Sequence, residues 1–588
     1  MFYNQLDRNL TFTMSMNLTR PELYSLYELL TNRLFEIPDY QRTYSWGKKQ
    51  RVDLFSDILK IKEKDREHFM ATIVCLNKSK KQIGGSRFDK LDLVDGQQRL
   101  TTLIILLKSV CLSLQNGTEN EKIIADDLQN LLVKQRDETV ILLQTNHDTS
   151  SIFSNYLRTG IKPNELDLAI SADKNLKDAF TECEKFVVSY GQKFGLANLY
   201  QTLMDKLKFI LHTVEDEGVV YTVFEVLNSR GLDVDWLDKC KSLLLGIVFE
   251  NTIDKDQIES TMSELHTIWS NIYRTIGLNE IPGDEIIRFS ASLLTTVHLS
   301  KTYSAQEALD FFKDYCNSNI RRVIECSNWL LKVAKELLKL SRNLFLNPVT
   351  KVQHARLLKV SIELRDDLLV SEQDELIALW EKVTFRIFGI AGKDTRTKIG
   401  DYVRLSQSIV RKKQFINNRL IAFPKNEISL TLTNLGADFK ILDVIKEIQD
   451  KDLYSVNDWK EELRYFFYKY ERYLNAKKGY SFPDVIWYEI WKADLNKTIE
   501  HIYPQTPGSR WSFTLSTKDI NRLGNITMLT ADLNNEARNL AFNNKKDVYN
   551  KENRLLGLME IYNNDVWNLE AIEKREQELI NWAIATWD

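Results

Sequence analysis

Only nine prolines and 21 glycines interrupt 588 residues, and that scarcity constrains the fold more than any other property of the chain. Proline stops helices and glycine builds the tight turns between strands. A chain so poor in both is expected to be predominantly helical rather than a loop-rich β architecture. Length argues against a single core, because domains of roughly 100–200 residues suggest about three or four units. Hydrophobic residues at 43% and charged residues at 27% are ordinary for a soluble globular protein. No apolar run nears the roughly 20 residues of a membrane span; Leu243 to Phe249, counting Gly246, has seven. Residues 1–20 lack an apolar signal core, and the six cysteines form no CxxC. A cytoplasmic protein with reduced cysteines and no membrane contact is therefore expected.

Periodicity divides the chain into three expected domains, 1–245, 246–430 and 431–588. In the first, His68 to Leu76 and Leu91 to Val94 are strand-like. Leu100, Leu103, Leu107, Val110 and Leu114 mark one face of a helix. Phe209 to Val214 and Val219 to Val226 read as a strand pair. From Asp238 to about Phe415 the pattern is helical almost throughout. Trp459 to Leu474 forms an aromatic helix, whose Tyr465, Phe466, Tyr468 and Tyr473 suit core packing better than base stacking. The fold class expected is α+β with helix dominant.

The chemistry concentrates near the far end. Glu500-His501 precedes Pro504-Gln505, Asn525 follows 24 residues after His501 in a Leu-Gly-Asn turn, and Asn534 follows nine later. An acid-His pair, a middle Asn and a third polar residue at that step are what a one-metal HNH (ββα-metal) nuclease centre requires. Phosphodiester cleavage needs a base to activate water and a cation to neutralise the leaving oxygen. His501 supplies the base, since neutral imidazole takes a proton near pH 7. Glu500 and Asn534 offer hard oxygens suited to Mg²⁺ or Mn²⁺, with Asn539 the alternative to Asn534 if the helix begins later. Asn525 is expected to tie the loop to the strand and orient the imidazole, and Lys545 to meet the scissile phosphate as a point charge. A lone Glu-His is more often a surface pair; the full set outweighs that reading.

A second constellation lies near the other end. Asp95-Gly96-Gln97-Gln98-Arg99 follows a strand and opens a helix, where a glycine lets backbone N–H groups face an anion. Arg99 adds a cationic fork for phosphate and Asp95 can hold a cation or water. Ile37 to Arg42, with Tyr44 and Trp46, and Phe224 to Gly231, with Asn228 and Arg230, would complete an arginine-lined pocket for a nucleoside triphosphate or a nucleic-acid backbone. Against this, each arginine could simply pair with Asp39, Asp95 or Glu225 to staple the domain. No P-loop occurs.

These pieces together resemble the GmrSD-type, modification-dependent (type IV) restriction endonucleases, at both ends and in the family's order. The family's DGQQR motif is intact at Asp95 to Arg99. Its "IPxYQR" and "FExLNSRG" stretches are similar to Ile37–Arg42 and Phe224–Gly231. Its "EHxxPQ … GN … N … K" pattern resembles Glu500–Gln505, Gly524-Asn525, Asn534 and Lys545. The resemblance implies a ParB/sulfiredoxin-like N-terminal domain and a C-terminal helical domain carrying the HNH centre; the helical middle carries no family signal. It implies a phage-defence enzyme in which GTP or ATP binding or hydrolysis, or sensing of modified DNA, licenses cutting of double-stranded foreign DNA. Nucleotide handling is carried to Asp95, Gly96, Gln97, Gln98 and Arg99, and then to Arg42, Asn228 and Arg230. A homo-oligomer stays open.

Charge runs against this expectation. Formal net charge is −3, and residues 481–588 hold 12 Lys/Arg against 16 Asp/Glu, so the nuclease region lacks a basic footprint. Two alternatives stand beside nucleotide-gated cleavage: a sensor that binds nucleotide or DNA without cutting, and an RNA- or host-directed suicide nuclease.

Overall fold

The computed structural model describes residues 22–38, 43–64, 66–134, 141–145, 150–214, 236–251, 255–277, 281–441 (318, 344, 347–348 and 417–418 excepted), 443 and 460–588 (495–496 and 553 excepted). Arg42, Asn228, Arg230 and the expected strand Val219–Val226 lie outside the described residues.

Contacts divide the chain into two compact units, Met1–Arg288 with Ser304–Lys335, and Phe289–Tyr303 with Glu336–Asp588. The helical stretch expected as a middle domain is thus shared between them. In the first unit a six-stranded mixed sheet runs in the order β1-β6-β3-β4-β2-β5. Its strands are β1 Glu22–Ser25, β2 Arg33–Ile37, β3 His68–Ile83, β4 Ser86–Asp95, β5 Leu143–Thr145 and β6 Leu207–Val214. The β-branched stretch Ile73–Val74 puts β3 at the centre, parallel to β6 and antiparallel to β4.

Three helices pack against the sheet in that unit's core: α1 Lys48–Lys64, α2 Gln97–Leu114 and α3 Ser171–Phe194. Helix α2 is buried nearly all round rather than on one stripe, as expected of a helix without a polar face. All six cysteines are buried and free.

The second unit is helical, apart from a small ribbon of β7 Lys413–Ile416 and β8 Arg419–Ala422 and the pair described next. Helix α4, Lys460–Lys477, is the expected aromatic helix. Its Tyr465, Phe466 and Tyr468 are buried, while Tyr473 is 42% exposed. Core packing is what three of these four rings do. No described helix is long and apolar enough to cross a membrane.

Candidate active site and a second helix-terminus site

In the second unit, β9 Ile499–His501 pairs antiparallel with β10 Ile526–Met528, placing His501 opposite Ile526 and Glu500 opposite Thr527. Helix α5, Ala531–Ala537, follows three residues later, then α6 Phe542–Tyr549 and α7 Leu556–Tyr562. Two short antiparallel strands and a helix therefore bring Glu500, His501, Asn525 and Asn534 onto one small scaffold. A cleft of about 540 Å³ opens on it. Lys497, Glu500, His501, Gln505, Asp532, Asn534, Arg538 and Asn539 are among its lining residues.

Consecutive strand residues face opposite sides, and the partners of Glu500 and His501 follow that rule. Glu500 turns to α6, where Lys545 Nζ lies 2.6 Å and Tyr549 Oη 2.8 Å from its Oε1. Lys545 also donates to the His501 carbonyl at 2.8 Å. Burial pushes the Glu500 carboxyl up and the Lys545 ammonium down, and their mutual attraction opposes both shifts. Lys545 is fully buried, so the phosphate contact expected from the sequence is not the position the fold gives it. The cations on the cleft wall are Lys497 and Arg538.

His501 meets Asn521, its Nε2 lying 3.1 Å from Oδ1. With that oxygen accepting, Nε2 carries the proton and Nδ1 is the basic nitrogen. Asn525 is completely buried and orients the loop rather than the imidazole. Its Oδ1 accepts from the Tyr503 N–H at 2.7 Å and from Trp567 Nε1 at 3.0 Å. Its Nδ2 donates to the Tyr503 and Ile520 carbonyls. Asn534 spends its amide nitrogen on the carbonyls of Lys497 at 2.8 Å and Ile499 at 3.4 Å. Its amide oxygen is what it offers the cleft.

A final helix braces this turn. Helix α8, Leu569–Trp587, presses its backbone on Gly524 so closely that a Cβ there would sit 2.0 Å from the Ile572 carbonyl oxygen. From it, buried Arg575 donates Nη1 to the carbonyls of Gly524 at 2.7 Å and Ile526 at 2.8 Å. Glu576 accepts two bonds from Arg522. Sequence reading missed Asn521, Tyr549, Trp567 and Arg575. Tyr549 was within reach, being four residues after Lys545 and so on the same helical face. Trp567 and Arg575, more than 60 residues past His501, left no local signal.

The first unit carries the other constellation. Strand β4 ends at Asp95, Gly96 takes φ +92°, and α2 begins at Gln97. Only glycine adopts that backbone readily, and a Cβ would also meet Ile73 Cγ1 at 3.1 Å. Asp95 Oδ1 accepts from the Gly96 N–H at 2.7 Å. Gln98 is spent on structure: Oε1 accepts from the Ser45 N–H and Nε2 donates to the Thr43 carbonyl. Gln97 Oε1 is buried with no hydrogen-bond partner among the described residues. Arg99 lies over Trp46, 5.7 Å from the ring centroid, and forms no ion pair with Asp95. Burial pushes its guanidinium down, with Asp95 and Asp57 opposing. A cation held on an aromatic face beside a helix N-terminus can receive an anion, while the Gln97 oxygen is suited to an O–H or N–H donor. Tyr44 and Trp46, expected as pocket walls, are themselves buried, Tyr44 against Thr102 at 2.8 Å.

The N-terminal domain of the GmrSD restriction endonucleases matches residues 24–245, and the C-terminal domain of the same enzymes matches residues 440–582. The comparison with curated proteins found no match. The two matched segments together span more than half of the chain, contain the two constellations in the family's order, and leave the helical middle between them. This chain belongs to the GmrSD restriction endonuclease family.

Proposed function

We propose that the β9–β10–α5 cleft hydrolyses a phosphodiester of double-stranded foreign DNA, with His501 as the general base. The observation that carries this reading is the placement of an oriented imidazole and the Asn534 amide on one strand-strand-helix scaffold around one cleft. His501, its far nitrogen facing Asn521, takes the proton of the attacking water. Asn525 holds the Tyr503 loop that follows the base. Lys497 and Arg538 neutralise the substrate backbone at the cleft wall, and buried Lys545 and Tyr549 hold Glu500 in place.

A divalent ion prefers oxygen donors. Asn534, Asp532 and Asn539 present oxygens on the cleft, while Glu500 Oε1 is already occupied by Lys545 and Tyr549. That donor set fits one Mg²⁺ or Mn²⁺ with few charged ligands. Glu500 would contribute only through its second oxygen. When bound, such an ion would stabilise charge growing on the leaving oxygen.

Nucleotide gating belongs to Asp95, Gly96, Gln97 and Arg99, with Gln98 holding the 43–45 segment beside them. GTP or ATP hydrolysis, or recognition of modified DNA, would license the cut; Arg42, Asn228 and Arg230 belong to the same proposal from sequence alone. The test is digestion of plasmid and phage DNA by wild type and His501→Ala, with Mg²⁺ or Mn²⁺, with and without each triphosphate. Metal-dependent cleavage abolished by the substitution is expected; cleavage by pure His501→Ala protein would end the assignment. One observation favours a second reading, a sensor that binds without cutting: Glu500, the acid of the proposed metal pair, gives its Oε1 to Lys545 and Tyr549. That reading requires binding without cleavage of every DNA tried.

A further inference from the structure

Between Asn77 and Phe88 the chain carries Lys78, Lys80, Lys81 and Arg87 and no carboxylate, in a protein whose acids outnumber its bases 82 to 79. The fold makes this segment project. Among the described residues, strand β3 pairs with β6 as far as Leu76, and β4 pairs with β2 from Asp89. Beyond those limits Lys81–Ile83 pairs with Ser86–Phe88, with no third strand among the described residues. The two strands join through Gly84 and Gly85, Gly84 taking φ +60°. Residues 77–82 and 84–87 are all exposed.

Cross-strand partners share a face, so the register sorts the cations. Lys80, opposite Asp89, and Arg87, opposite Gln82, lie on one face; Lys81, opposite Phe88, lies on the other. Among the described residues the segment's lysines form two ion pairs: Lys78 with Asp92 at 3.7 Å, at the base of the ribbon, and Lys80 with Asp89 at 3.9 Å between side chains 73% and 45% exposed. Pairs of that kind hold little energy. Lys81 and Arg87 form no ion pair among the described residues. Lysines alone would serve to protect a sheet edge; an arginine and a glutamine side by side on one face, Arg87 and Gln82, add planar donors that edge protection does not need.

We propose that this ribbon is a DNA-binding arm that enters the major groove, the face bearing Lys80, Gln82 and Arg87 turned to the base edges and one backbone, and Lys81, on the other face, reaching a phosphate at the rim. A two-stranded ribbon fits a groove about 12 Å wide, and Arg and Gln are suited to purine edges. The inference rests on the reading of duplex DNA as substrate. It places the missing electrostatic attraction on the first unit.

The experiment measures binding of a short fluorescein-labelled DNA duplex by the full chain, by anisotropy in EDTA across a salt series. The proteins are wild type, the Lys80→Gln/Lys81→Gln/Arg87→Gln variant and the charge-keeping Lys80→Arg/Lys81→Arg variant. The neutralised variant should bind roughly tenfold to a hundredfold more weakly, with a salt slope shallower by about two to three, and the charge-keeping variant should match wild type. Wild-type affinity and slope in the neutralised variant would overturn the arm while leaving the nuclease reading intact. No duplex binding by wild type would overturn both. Loss of binding confined to an RNA duplex of the same sequence would overturn the DNA assignment.

Discussion

Lys545 Nζ sits between the Glu500 carboxylate and the His501 carbonyl with no exposure to solvent. Replacing it with methionine leaves a buried carboxylate facing only the Tyr549 hydroxyl. Breaking one side of a buried pair costs roughly 3–5 kcal/mol, so Lys545→Met should lower the urea midpoint sharply. Arg538→Gln removes an exposed cleft cation and should weaken DNA binding with the midpoint within about 0.5 kcal/mol of wild type. Equal stability of the two variants would return Lys545 to the phosphate role expected from the sequence. Spacing alone could say that Glu500, His501, Asn525, Asn534 and Lys545 belong together, because each residue type suits the chemistry. It could not say which side of β9 each would face, since that depends on partners 20 to 50 residues away. Asn521 illustrates the gap: an asparagine four residues before a motif asparagine has no feature of its own until the fold brings it to the imidazole.

At the scale of elements, the turn before β10 depends on the helix laid against it. Gly524→Ala forces a methyl into the Ile572 carbonyl, and overpacking of this kind costs about 1–3 kcal/mol. Because α8 also holds the turn through Arg575, the same change should lower the cleavage rate by more than its loss of stability accounts for, measured at a temperature where the variant is fully folded. A second junction titrates. Glu471 on α4 is fully buried, accepting from the N–H groups of Leu556 at 2.7 Å and Gly557 at 2.8 Å at the start of α7. Burial pushes its carboxyl from 4.5 up to about 8, the two backbone bonds opposing. The folded state therefore holds the proton more tightly than the unfolded chain, and stability falls as pH rises from about 4.5 to about 8. The stability difference between wild type and Glu471→Gln should shift in favour of the glutamine variant across that window; a constant difference in urea midpoints would refute the assignment. Helices such as α2 and α4 were legible because their apolar spacing repeats. Strands β9 and β10, three residues each, are too short for periodicity, and only the chemistry of Glu500-His501 marked the first of them.

At the scale of the molecule, a net charge of −3 leaves DNA affinity to local features, and the two units present different ones. The proposed nuclease cleft has Lys497 and Arg538 on its wall, and the first unit has Arg99 over Trp46 at the start of α2. Arg99→Gln in the full chain should abolish triphosphate hydrolysis while the far-ultraviolet dichroism and melting temperature stay near wild type, since Arg99 makes no hydrogen bond among the described residues. Retained hydrolysis would remove the Asp95–Arg99 segment from nucleotide handling. Length and composition anticipated a helical protein with more than one core. They did not anticipate that contacts would divide the helical middle between two units, because helix-forming sequence looks alike whichever core it joins.

The clamp on Gly524 also orders events during synthesis. His501, Asn525 and Asn534 leave the ribosome well before Arg575 and the backbone around Ile572 that pin their turn in place. A growing chain that stops near Asn564 already carries every proposed catalytic side chain, with the turn held by Asn525 and the β9–β10 pair but not yet by Trp567 and Arg575. A chain ending there should therefore cut more slowly than the full one, because the last brace on the turn is a helix that performs no chemistry.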